Sequence, residues 1–173
     1  MMVTTDVPVL GFVAASGTGK TTLLTKLLPL FRQRGLKVAV IKHTHHDFEV
    51  DQPGKDSYEL RKAGAQEMLI ASGKRWVLMS DRDWGGDPPL QALVERLDRS
   101  NLDLVLVEGF KHERMPKIEL IRPGLGRPPL YPDDPDIVAV AADGVVQVAT
   151  ELPLLDLNDP PAIAEFVEAT FLR

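Results

Sequence analysis

Residues 14–21 read Ala14-Ala15-Ser16-Gly17-Thr18-Gly19-Lys20-Thr21, between an apolar run at 9–14 and a helical pattern that starts near Lys20. This is the phosphate-loop pattern G-x-x-x-x-G-K-[ST], with alanine in place of its first glycine, and it functions between a strand and a helix. That setting restricts the chain to folds in which a buried strand feeds a helix through a tight turn. Gly17 and Gly19 free the backbone for close approach to a ligand. Successive N–H groups over 17–21 can turn inward on phosphate oxygens. The positive end of the helix adds to them. Lys20 brings a mobile full charge for the β- and γ-phosphates, Thr21 a hydroxyl for Mg²⁺, and Thr22 a reach to the α-phosphate; Ser16 and Thr18 complete the loop.

The rest of the chain alternates strands and helices, as expected of an α/β fold with a largely parallel sheet. Strands are expected at 9–14, 37–42, 67–71, 75–80, 102–107, 117–121 (near an edge), 137–142 and, short, 145–148. Helices are expected at 20–34, from 56 to about 64, from about 88, and at 161–172. The first carries Leu23, Leu24, Leu27, Leu28 and Phe31 on one face, with Pro29 expected to bend or weaken it and Gly35 closing it. The proline-rich stretch 122–135 reads as an ordered loop or a mobile flap. With 173 residues and no composition shift, the chain reads as one nucleotide-binding domain over 1–173.

Composition closes off several functions. The sequence holds no cysteine, which excludes disulfides, zinc-thiolate sites and thiol catalysis. A net charge of −5 gives no reason to expect nucleic acid or an anionic membrane as partner. No apolar run has the length of a membrane span, and the first residues carry no export pattern; the expected compartment is the cytoplasm.

A metal-side acid is needed beside Thr21. Glu108 is the candidate: it ends the apolar strand 104–107, at the carboxyl edge where the phosphate loop also lies. It can hold Mg²⁺ or orient an attacking water; a solvent-facing strand-end acid is the plain alternative. Asp103, at the far end of that strand, reads as structural. The segment 42–57, KHTHHDFEVDQPGKDS, carries three of the four histidines. It leaves the second strand at the same edge, the place for a loop that senses nucleotide. There Lys42, His43 and Lys55 can meet anions and Asp51 can meet Mg²⁺ or water. A transition-metal site and a solvated polar loop are the alternatives. Lys111 is a further candidate anion contact. Arg122 and Arg127 read as an interface or a solvated face before a lid, Trp76 and Trp84 as core and surface packing. Asp159 is a candidate for reading a guanine edge.

Three blocks carry a family resemblance: SGTGKTTLL at 16–24, IKHTHHDFEVDQPGKDSYELRKAGA at 41–65 and DLVLVEGFKH at 103–112. Together they resemble the molybdopterin-guanine dinucleotide biosynthesis protein B family, the GTP-binding adapters of molybdenum-cofactor maturation. The resemblance implies a P-loop NTPase three-layer sandwich, a mostly parallel sheet with helices on both faces. It implies GTP with Mg²⁺ as ligand, slow hydrolysis and a homodimer. It further implies a guanylyltransferase partner that joins GMP to molybdopterin, with molybdopterin itself a possible ligand. Matched by position, Gly17, Gly19, Lys20, Thr21 and Thr22 fall on the phosphate loop and Glu108 on the second acidic motif. Lys42, His43, His46, Asp51, Lys55 and Asp56 fall on the long block. A P-loop small-molecule kinase, closing Arg122 and Arg127 over its substrate, is the rival reading, followed by a metallochaperone using His43, His45, His46 and His112.

Overall fold

In the computed structural model, residues 2–44 and 48–172 are described; His45, His46 and Asp47, part of the histidine segment, lie outside them. The chain forms two compact units, Met1–His43 with Pro89–Arg173, and Thr44–Pro88. The sequence reading treated 1–173 as a single domain and gave the second unit no separate identity.

The first unit is built on a six-stranded sheet. Its strands are β1 (Val9–Val13), β2 (Val38–Lys42), β5 (Leu104–Glu108), β6 (Lys117–Ile121), β7 (Ile137–Ala142) and β8 (Leu154–Asp156), in the order β2-β5-β1-β6-β7-β8. Every pairing is parallel. Parallel strands need cover on both faces, and all five residues of β1 and of β5 are buried. On one face, Leu10, Phe12, Leu104, Leu106 and Ile118 meet α1 (Lys20–Gln33) and α4 (Pro160–Phe171) through Leu23, Leu27, Phe31, Ile163 and Val167. On the other, Val9, Val105 and Val107 pack with Leu90 and Val94 of the short α3 (Leu90–Val94). This is the three-layer, P-loop NTPase sandwich expected from sequence.

Several expectations need correction. β6 is interior, between β1 and β7, and not near an edge. Its polar residues misled because both are satisfied inside. Lys117 Nζ meets Asp134 Oδ2 at 2.6 Å and donates to the carbonyls of Glu113 at 3.0 Å and Lys111 at 3.2 Å. Glu119 accepts the amides of Leu130 and Tyr131, each at 2.8 Å. Burial pushes the Glu119 carboxyl up from its ordinary value, with those two amides acting in opposition. The same bonds fasten the proline-rich stretch, which is an ordered loop. Residues 145–148 form no strand. Helix α1 continues through Pro29, and Gly35 follows it at φ +80°. Asp103 is structural, its Oδ2 accepting the Lys37 amide at 2.7 Å.

The second unit holds α2 (Asp56–Lys62) and an antiparallel hairpin of β3 (Glu67–Ala71) and β4 (Trp76–Ser80). These strands form their own two-stranded sheet. Arg61 holds the unit together by bonding Glu49 and, at 3.3 Å, Asp81. Trp76 is exposed, against the core role expected for it, and Trp84 lies under the Arg82 guanidinium, 4.2 Å from the ring centroid.

Candidate functional site

The site grows from three adjacent strand ends. Lys42 of β2 and Glu108 of β5 are paired in register, and Glu108 is in turn level with Phe12 of β1. All three strands end at the edge where residues 14–19 turn into α1. The turn is set by glycine: Gly17 has φ +81° and Gly19 φ +102°, values that side chains rarely tolerate. Thr18 is buried and its hydroxyl donates to the Ala15 carbonyl at 2.9 Å. Ser16 and Gly17 are exposed at the mouth, and Thr22 is exposed on the first turn of α1. Lys20 folds back over the loop, with Nζ 3.4 Å from the Ala14 carbonyl and 3.5 Å from that of Ala15.

Thr21, Glu108 and Lys42 form one network. The Thr21 hydroxyl donates to Glu108 Oε1 at 2.7 Å. Lys42 Nζ lies 3.1 Å from Thr21 Oγ1 and 3.2 Å from that same carboxylate oxygen. Two hard oxygen donors therefore converge and already accept a cation, a donor set suited to Mg²⁺. Burial holds the Lys20 ammonium below the ordinary lysine value; Glu108 counters this, and the positive charges of Lys42 and Lys111 add to it. Three mutually repelling ammonium groups gather here, of which Lys42 pairs with the buried Glu108 carboxylate. A bound polyanion relieves that repulsion.

The turn after β5 is unusual. Gly109 has φ +93° and Phe110, not a glycine, has φ +53°. Non-glycine residues there are strained, and such strain gathers at functional sites. The Phe110 ring is buried and lies 4.5 Å from the His43 ring, centroid to centroid. A Cβ on Gly109 would come within 3.1 Å of His43 Cβ. The glycine thus lets His43 and Phe110 close over the end of β5, and Lys111 follows directly.

Sequence reasoning placed Lys20, Thr21, Glu108, Lys42, His43 and Lys111 in one region, and the structure brings all six to this edge. Asp51 and Lys55 belong to the second unit, where Asp51 Oδ1 accepts the Gln52 amide at 2.9 Å. Asp159, the candidate for reading a guanine edge, caps α4, its Oδ1 accepting the Ala162 amide at 3.1 Å. Among the described residues no group of three His, Asp or Glu is arranged to hold a metal ion.

Arg122 is the residue undervalued from sequence. Its Nε donates to the Thr18 carbonyl at 2.8 Å, and Nη1 pairs with Asp143. The available signal was its position immediately after β6, at the same sheet edge as Glu108.

A sequence model of the family described as molybdopterin guanine dinucleotide synthesis protein B matches residues 9–143. The chain belongs to that family. The molybdopterin-guanine dinucleotide biosynthesis adapter protein of Escherichia coli (strain K12) is 52 % identical over 164 residues, which are 94 % of this chain and 93 % of that one. Its counterpart in Haemophilus influenzae is 42 % identical, covering 94 % and 89 %. A crystal structure of molybdopterin-guanine biosynthesis protein B superposes with a TM-score of 0.73 at 29 % identity, over 95 % of this chain and 99 % of that one. The family match covers the phosphate loop, Lys42, Glu108, Phe110 and Arg122. Among the described residues no helix is long and apolar enough to cross a membrane.

Proposed function

We propose that this chain, an adapter of molybdopterin-guanine dinucleotide biosynthesis by family, performs that role by binding GTP with Mg²⁺ at the phosphate loop. It hydrolyses the nucleotide slowly and works in the cytoplasm as a homodimer. Its partner is the guanylyltransferase that joins GMP to molybdopterin. The reading rests on Lys20, on the Lys42–Glu108 pair and on the nearby charge of Lys111, beside the glycine-opened loop.

The chain's residues divide the work. Amides of the loop and the start of α1 receive phosphate oxygens, and Lys20 leaves the carbonyls of Ala14 and Ala15 to meet them. Lys42 and Lys111 supply further positive charge. Thr21 and Glu108 would hold Mg²⁺, through the two oxygens that now meet the Lys42 ammonium. When bound, Mg²⁺ neutralises charge developing on the phosphates. Glu108, buried and shared among Thr21 and Lys42, is the group positioned to orient a water. The choice of guanine, the transferase and the dimer rest on the resemblance of the three sequence blocks. The exposed apolar hairpin adds support for self-association.

The lid role of the kinase rival finds no support in Arg122, which is already committed to Thr18 and Asp143. Calorimetric titration of GTP and ATP into the wild type and Lys20→Ala, with Mg²⁺, tests the proposal. Losing the ammonium should weaken GTP binding by ~1.5–3 kcal/mol, the range for a hydrogen bond to a charged group. Equal affinity in both proteins, or absence of GTP binding, would refute it.

A further inference from the structure

The bond from Arg122 to the phosphate loop ends on a carbonyl, not on a side chain, and that carbonyl belongs to the peptide joining Thr18 to Gly19. A peptide unit is planar and trans. The Thr18 C=O and the Gly19 N–H therefore point in opposite directions, and whatever fixes the carbonyl fixes the amide. The Thr18 side chain is itself locked to Ala15. On the other side stands Gly19, at φ +102° and with no Cβ, so rotating the intervening peptide meets little steric resistance. Among the described residues, the Gly19 N–H donates to no protein acceptor; it is one of the open donors at the start of α1. The flanking groups are held, the Thr18 N–H by the Ala15 carbonyl at 3.4 Å and the Gly19 C=O by the Leu23 amide at 2.9 Å, and among the described residues the Arg122 bond is the one hydrogen bond on the peptide between them.

Arg122 supplies that hold, and it is held in turn. Its Nη1 pairs with Asp143, just beyond β7. Its Nη2 lies 3.6 Å from the place a Gly19 Cβ would take, so the guanidinium overlies the loop. The fork geometry of arginine allows one side chain to meet a carbonyl and a carboxylate at once, which a lysine ammonium does not reproduce. Resting on the nucleotide reading above, we infer that Arg122, anchored by Asp143, is a positioning residue: it fixes the Thr18–Gly19 peptide so that the Gly19 N–H faces the bound phosphates.

The latch and a plain charge contact give opposite signs at Asp143. Removing an anion near a phosphate site strengthens phosphate binding if Arg122 acts only through its charge. It weakens binding if Asp143 is needed to steer the arginine. The test measures Mg²⁺-GTP affinity by calorimetry for the wild type, Arg122→Ala, Arg122→Lys and Asp143→Ala, with the ¹H–¹⁵N signal of Gly19 followed in each protein without nucleotide. The expected result is a loss of about fivefold to tenfold in all three variants, the scale of one net hydrogen bond, with the Gly19 signal displaced. Asp143→Ala binding as tightly as wild type or more tightly, or full affinity in Arg122→Lys, would overturn the latch. If the wild type itself binds no GTP, the nucleotide reading fails. The latch is then decided by the Gly19 signal alone: displacement in Arg122→Ala and Asp143→Ala upholds it, and an unmoved signal ends it.

Discussion

Gly11 shows how one missing atom shapes this molecule. A Cβ there would lie 2.6 Å from the Met115 methyl and 2.8 Å from Lys117 Cγ, so β1 carries a hydrogen where the Lys117 stem must pass. Gly11→Ala should overpack the core and lower stability by about 1–3 kcal/mol, read from urea unfolding. Since Lys117 also binds the carbonyls of Lys111 and Glu113, the same change should weaken GTP binding. Asp136 makes a prediction about acid. The hydrogen bonds of Arg114 hold its carboxyl below the usual value, burial opposes them, and the charges of Arg114 and Lys117 assist. A depressed carboxyl contributes stability at neutral pH that is lost as pH falls below about 3.8 and through the folded value. Asp136→Asn should lose stability at neutral pH and show a shallower decline below pH 4 in thermal unfolding. The placement of residues such as Lys20, Thr21 and Glu108 was legible because it follows from local spacing and a strand end. Arg122 was not, because the Thr18 carbonyl it holds is distant in sequence; Lys117 was not, because only the folded chain brings two carbonyls and Asp134 onto its ammonium.

At the scale of elements, local pattern also set the limit. β1, α1, β5 and α4 were found nearly to the residue, since each has a continuous apolar run or a clear helical stripe. β6 was placed near an edge because Lys117 and Glu119 look solvated, and only tertiary structure shows the groups that satisfy them. The hairpin strands were recognised, but nothing in two five-residue, mostly apolar runs says which sheet they join. Glu119 ties β6 to the loop that follows it, through two amides 2.8 Å away. A glutamine there can turn only one oxygen to them and must set a donor against the other. Glu119→Gln should therefore cost about 1–3 kcal/mol, and hydrogen exchange at Leu130 and Tyr131 should rise.

At the scale of the whole molecule, the second unit carries an apolar surface. Leu69 and Leu78 face one another across the hairpin, beside the pair of Ala71 and Trp76. Like-parity residues share a face, and Leu69, Trp76 and Leu78 are 58 %, 62 % and 41 % exposed. A two-stranded hairpin is marginal by itself, and apolar faces of this kind mark association sites. If the proposed homodimer forms here, Trp76→Asp with Leu78→Asp should move the protein from dimer to monomer in sedimentation, with the unfolding of the first unit retained.

The strand order has a consequence for the way the protein is made. β1 lies between β5 and β6, so that Val9 is level with Val105 and Val13 with Glu119. The residues of the phosphate loop leave the ribosome early, but both neighbours of their strand arrive about a hundred positions later. A nascent chain halted at the hairpin owns every letter of the motif and none of its architecture. The loop gains its folded setting only once β5 and β6 have joined the strand that carries it.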